Sequence, residues 1–222
     1  MLALEGCDED RRLTETKREM RRGVILDAAR KLFFERPYED VSIGDLEREC
    51  GMTRGPIYYY FENKEEIYAS VVVDGLRMVE SHFVGLRAAN PDPAAFMLAL
   101  VDEYSDLYTE SAAIFDIHFR FFFGNLNRNR VILPQKHNDQ VELLIGHCTQ
   151  ILADAIREGT RSGIFRCADP EIATLCIWGL LVTTIQMDTG NDRFVHAGAD
   201  RARLVAGIGE QILAMLGYAG AR

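Results

Sequence analysis

The stretch "GMTRGPIYYYFENKEEIY", residues 51–68, decides the fold. Gly51 is the residue type that closes a helix in a left-handed turn. Thr53 is suited to cap a new helix, which places Arg54, Gly55 and Pro56 in its first turn. Proline is tolerated there because those N–H groups lack intrahelical partners anyway. Only Ile57 and Phe61, four apart, form an inward-facing pair. Tyr58, Tyr59 and Tyr60 fan around the remaining faces, so at least two of the three must be largely exposed. Asn63 then caps a further helix, with Glu66 at its third position.

The flanking sequence continues the helical pattern. Upstream, Ser42 in "VSIGDLEREC" is an N-cap with Asp45 three residues on, a variant of the capping box. In "GVILDAARKLFFERP", Ile25, Ala28, Ala29, Leu32 and Phe33 recur at helical spacing until Pro37 stops the run. Downstream, one long helix is expected over about 64–88, followed by a proline-containing break at "NPDP". Further helices are expected at roughly 93–110, 111–125, 136–162, 170–188 and 200–217, with Asp92–Pro93 and Asp169–Pro170 as cap-and-proline starts. No segment alternates at period two, so the fold class expected is all-α. The expected domains are a disordered leader over 1–13, a helix-turn-helix unit over 14–66 and a larger helical unit over 67–222.

Net charge is −9 over 222 residues, but its distribution is uneven. Residues 1–10 carry −4, residues 11–64 carry +2 and residues 65–222 carry −7. An acidic chain can still present a local basic patch, because charge interactions are screened over about 10 Å at 0.1 M salt. The five cysteines are scattered without a CxxC pair, which reads as reduced thiols in a cytoplasmic protein. No signal peptide is expected from "MLALEGCDEDRR". The apolar run at 172–187 falls short of the roughly 20 residues a bilayer span needs, so no membrane partner is expected.

Two short helices joined by a glycine turn and braced by a longer helix describe a helix-turn-helix. Exposed tyrosines cost solubility, whereas a phenol packed on a sugar can also donate a hydrogen bond to phosphate. Gly55 and Pro56 keep the helix start slim enough to approach base edges in a major groove about 12 Å wide. The run "VSIGDLERECGMTRGPIYYYFENKEEIYASVV" resembles the DNA-binding signature of the TetR family of bacterial transcriptional regulators. The capped helix, glycine turn, Tyr, Phe, Asn and Lys all fall in register over about residues 20–72.

That resemblance implies roles for single residues. Arg54, Gly55 and Pro56 would face bases, and Tyr58 would sit at the groove edge. Tyr59, Tyr60 and Lys64 would hold phosphate and sugar. Ser42 and Thr53 would offer cap hydroxyls and helix N-termini to phosphates, while Arg18, Arg21 and Arg22 would reach the backbone or minor groove. The partners implied are a palindromic double-stranded operator, a small-molecule effector and a second copy of the chain. The regulator would be a repressor released by an apolar or aromatic effector.

"AAIFDIHFRFFFGNL" is apolar on all sides, which implies a helix buried on most faces. It is either solid core or the lining of the effector pocket that the resemblance implies. The candidates for that lining are Tyr104, Phe115, His118, Phe119, Arg120, Phe122, His147 and Trp178. The last two helices are more apolar than a surface pair should be. They read as monomer core or, by the resemblance, as a dimer interface containing Ile172, Cys176, Gly179, Leu204, Ile208, Ile212 and Met215. His118, His137, His147 and Cys148 match no common metal-ligand spacing, and no cofactor is expected. GxSxG, HExxH, P-loop and GxGxxG signatures are absent, so the chain is not expected to be an enzyme. The rival readings are a helical interaction or ligand-binding protein without DNA binding, and an enzyme of unrecognised type.

Overall fold

The computed structural model describes residues 2–111, 133–190, 201–218 and 220, and every regular element among them is helical. The first helix, α1, spans Leu2–Glu35 and therefore includes the stretch expected to be a disordered leader. Leu, Ala, Glu and Arg dominate its start, and all favour the helix. The chain leaves α1 just before Pro37 and makes a single 3₁₀ turn, Tyr38–Asp40. Then follow α2 (Ile43–Cys50), α3 (Arg54–Tyr60), α4 (Lys64–Ala89) and α5 (Pro93–Glu110). After the undescribed segment come α6 (Gln135–Arg161), α7 (Pro170–Gly190) and α8 (Arg201–Met215). The helix expected over 111–125 lies outside the described residues.

Local chemistry explains the ends of these helices. Asp92 accepts the Ala95 N–H at 2.8 Å ahead of Pro93, and Asp169 accepts the Ile172 N–H at 3.0 Å ahead of Pro170. Each satisfies one of the amides that a helix start leaves unpaired.

Two apolar cores form along one continuous body. The first gathers Ile25, Ala29, Leu32 and Phe33 of α1 with Leu46, Ile57 and Phe61. It continues along α4 from Ile67 to Leu76 and takes Leu133, Val141 and Leu144 from the chain around the start of α6. The second joins Val79 and Phe83 of α4 to Phe96, Leu100, Leu152, Ile156, Phe165, Ile177, Ile208 and Ile212. Thus α4 and α6 each serve both cores, and α4 packs most extensively along α6. The expected domain division at 66/67 falls inside the first core, because α4 supplies its apolar face to both units.

In the last two helices, apolar surface faces two ways. Ile208 and Ile212 are buried against the chain's own core, which removes them from the expected interface set. Leu204 is half-buried against the same core. Ile172, Leu175 and Met215 are 57%, 64% and 43% exposed, with Cys176 exposed beside them. Among the described residues, no neighbouring atom lies within 4 Å of a Cβ built on Gly179. The side chains of Ile172, Leu175, Cys176 and Met215 leave apolar surface outside both cores. No helix among the described residues is long and apolar enough to cross a membrane.

Candidate nucleic-acid interface

Helix α2 is held at its start by a reciprocal cap. The Asp45 N–H donates to Ser42 Oγ at 3.2 Å, while the Ser42 N–H and hydroxyl donate to the Asp45 carboxylate at 2.8 and 2.6 Å. Those two donations, with Arg36 and Arg48 nearby, hold the Asp45 carboxyl well below the usual carboxylate range. The Ser42 hydroxyl proton is therefore committed within the cap, which corrects its expected role as a donor to phosphate. Gly51 closes α2 at φ 69°, a left-handed conformation that favours glycine. Met52 turns back against the first core.

Helix α3 is anchored by two side chains. Ile57 is fully buried and Phe61 is 2% exposed, with the Phe61 N–H closing on the Ile57 carbonyl at 3.1 Å. Every position of its first turn, Thr53 to Pro56, is exposed. Thr53 makes no side-chain cap bond, so its hydroxyl stays available. A Cβ placed on Gly55 would meet no atom within 4 Å among the described residues, so the missing side chain relieves no crowding among them. Tyr58 and Tyr59 are 46% and 70% exposed. Tyr60 is half-buried against the first core, and its ring meets that of Tyr59 edge-on at 5.0 Å.

Cations flank this surface unevenly. Arg54 lies 3.8 Å from the Glu47 carboxylate and stays largely exposed, a loose pairing that leaves it free to be recruited elsewhere. Arg18 reaches from α1 to 5.9 Å above the Tyr59 ring, a neighbour that sequence spacing alone did not single out from Arg21 and Arg22. Arg22 instead turns inward, 5.2 Å from the Phe61 ring and 3.9 Å from Asp74. Lys64 is the clearest departure from expectation. Its ammonium donates to the carbonyls of Tyr38 and Val41, both at 2.8 Å, and lies 4.0 Å from the Tyr38 ring centroid. It fastens the start of α4 to the 3₁₀ turn. The residue's phosphate role is corrected accordingly, since two of its three protons are used inside the protein.

Behind α3 lies a polar cleft of about 300 Å³ lined by Arg22, Tyr60, Ser70, Arg77, Lys136, His137 and others. His137 is 6% exposed, its Nε2 lies 3.5 Å from the Ser70 hydroxyl, and its Nδ1 is buried with no partner among the described residues. Burial, reinforced by Lys136 and opposed by Glu66, pushes its pKa below the ordinary 6.5. A histidine that resists protonation when folded contributes stability that is fully present above its unfolded pKa and lost as pH falls through the folded value. The denaturation midpoint is therefore expected to drop as pH is lowered from about 7 towards 5, and His137→Gln to flatten part of that drop. Urea titrations of both proteins across that range check it.

The expected effector residues separate. Tyr104 is buried in the second core, and Trp178 is half-buried there with its ring edge-on to Phe83 at 5.8 Å. His147 points out of the core, half-exposed and bonded to Glu80. It leaves the pocket set because the α4–α6 seam carries a charged rim there. Phe115, His118, Phe119, Arg120 and Phe122 lie outside the described residues. A cavity of about 520 Å³ opens between α5 and α8, lined by Leu98, Val101, Asp102, Ser105, Val205 and Gly209 among others. Cys148 is buried in this core, which pushes its thiol up to about 12 and leaves it unreactive.

Comparison with known proteins agrees with the geometry of the first four helices. Residues 25–71 match the family described as bacterial regulatory proteins, tetR family. Over 69 residues the chain is 36% identical to the HTH-type transcriptional repressor AcnR of Corynebacterium diphtheriae, covering 31% of this chain and 36% of that protein. It is 24% identical over 206 residues to the HTH-type transcriptional regulator TtgR of Pseudomonas putida, covering 87% of this chain and 96% of that one. The fold is similar to that of AibR, solved with isovaleryl coenzyme A and operator DNA. That likeness has a TM-score of 0.67 at 16% identity and covers 89% and 99% of the two chains. The capped α2, the glycine turn and the outward tyrosines of α3 occur within the matched stretch, so residues 25–71 carry the DNA-binding domain of the bacterial tetR family of regulatory proteins.

Proposed function

We propose that this regulator is a dimeric repressor that leaves a palindromic operator when a small apolar or aromatic effector binds. The observation that carries the DNA half of the reading is the division of α3: Ile57 and Phe61 fix it from inside, while Arg54, Gly55, Pro56, Tyr58 and Tyr59 face out. Arg54 donates to a guanine edge, the commonest specific contact in a major groove. Thr53, Tyr59 and Tyr60, with Arg18 beside them, hold sugar and phosphate and set the register. The reading unit comprises α1 to α3 with the first half of α4, and the remainder binds effector and partner.

Dimerisation through Ile172, Leu175, Cys176, Gly179 and Met215, with Leu204 at the edge, covers the exposed apolar row under two-fold symmetry. Two reading helices then meet half-sites about 34–36 Å apart, which requires a palindrome. The effector half is supported by the apolar stretch at 113–123 and by the aromatic pair Phe83–Trp178. AibR, of similar fold, carries both an acyl coenzyme A and operator DNA. Two states that differ in the spacing of the reading heads, with effector favouring the wider, give release.

The test is a duplex titration. Affinity for mixed-sequence DNA should fall steeply with salt, the slope rising by about 0.9 per phosphate neutralised. Tyr59→Ala should weaken specific and mixed-sequence binding together. Arg54→Ala should cost about 1–3 kcal/mol at a selected site and little on mixed sequence. Duplex binding that is absent at low salt, or untouched by both changes, would remove the assignment of α3 to the groove.

A further inference from the structure

We infer that Glu66 is a positioning residue for the reading helix and that Lys136, from the first turn of α6, holds it in place. The inference rests on the proposed role of α3 and deepens it.

Asn63 caps α4 by accepting the Glu66 N–H at 2.8 Å. In a full capping box the Glu66 side chain would return to the Asn63 amide. It does not. One carboxylate oxygen accepts the N–H of Glu62 at 2.6 Å, and the other receives Lys136 Nζ at 2.5 Å. Glu62 lies in the three-residue link between α3 and α4. Glu66 thus grips the exit of a seven-residue helix that has only two buried anchors of its own, Ile57 and Phe61. So short a helix cannot fix its own direction; its ends must be held.

The grip depends on a distant segment. Glu66 is only 9% exposed. Burial pushes its carboxyl up, but Lys136 and the Glu62 amide outweigh that and keep it below the ordinary value. Removing Lys136 would leave a buried charge with one amide for company, a costly state that relaxes by moving the carboxylate. Lys136 stands at the second position of α6, and the same helix carries Leu152 and Ile156 in the second core. One rigid element therefore joins the far core to the root of α3, and the Lys136–Glu66 ion pair is its polar link there, beside the apolar packing of Val141 and Leu144. The polar cleft next to that pair gives Lys136 room to swing away.

The experiment uses the full chain and four variants: Lys136→Met, Lys136→Arg, Glu66→Gln and Arg77→Met. Arg77 lines the same cleft and pairs with Asp74, not with Glu66, so its loss measures the field effect of removing one positive charge. Amide exchange is followed by mass spectrometry at residues 58–63 and, as reference, over 25–33 in α1. Affinity for a mixed-sequence duplex is measured at one low salt concentration. Lys136→Met and Glu66→Gln are expected to speed exchange at 58–63 about tenfold, as loss of a hydrogen bond to a charged group would, with the α1 segment within about twofold. Lys136→Met should weaken duplex binding about fivefold more than Arg77→Met, and Lys136→Arg should restore both readouts.

Unchanged exchange at 58–63 in Lys136→Met overturns the inference. So does exchange that quickens equally in α1, which would make the pair a general support of the core. Equal loss of duplex binding in Lys136→Met and Arg77→Met overturns it too. A wild-type chain that ignores duplex DNA removes the groove reading, while the exchange data still decide whether Lys136 orders α3.

Discussion

Phe61→Ala is expected to destabilise the protein by about 3–5 kcal/mol, the usual cost of deleting a buried phenylalanine. Its ring is 2% exposed, forms part of the first core and lies 5.2 Å from the Arg22 guanidinium. The same residue caps the end of α3, so the cavity opens at the root of that helix. The urea midpoint should fall with little change in slope, which marks lost stability with the same extent of unfolding. Duplex binding should fall even at temperatures where the variant remains folded, because α3 keeps only Ile57 as an apolar anchor.

The second large effect concerns a glycine far from α3. A Cβ on Gly159 would stand 2.2 Å from the ring of Phe165, a residue that is itself 2% exposed and donates its backbone N–H to the Gly159 carbonyl at 2.9 Å. The ring is enclosed in the second core and cannot swing aside. Gly159→Ala, normally favourable within a helix, is here expected to destabilise by about 1–3 kcal/mol through overpacking. A thermal scan should show the midpoint lowered by about 2–4 °C for each kcal/mol lost. A variant that melts at or above the wild-type temperature would mean that the backbone after α6 moves to make room.

Features encoded within a few residues were legible from the sequence. The Ser42–Asp45 cap, the Gly51 turn, the Asp92 and Asp169 starts and the inward pair Ile57–Phe61 all depend on spacings of three or four. The outward tyrosines follow from the same arithmetic, since a helix with two inward residues has no interior left for three adjacent rings. What escaped depends on distance along the chain. Lys64 meets carbonyls 26 and 23 residues earlier, and Lys136 meets Glu66 across 70 residues. No local pattern separates a lysine that waits for phosphate from one already spent on the protein. The last two helices are apolar on several sides, so periodicity could not say that Ile208 and Ile212 face inward while Ile172 and Met215 do not.

That α4 and α6 each serve both cores has a consequence for the newborn chain. Val72 and Leu76 share their packing with Leu133, Val141 and Leu144, which emerge from the ribosome some sixty residues later. The head that reads DNA is thus unfinished until more than half of the polypeptide has been made. A truncated translation product ending before α6 carries all of α3 and still lacks the apolar surface of Val141 and Leu144 that completes the core beneath it.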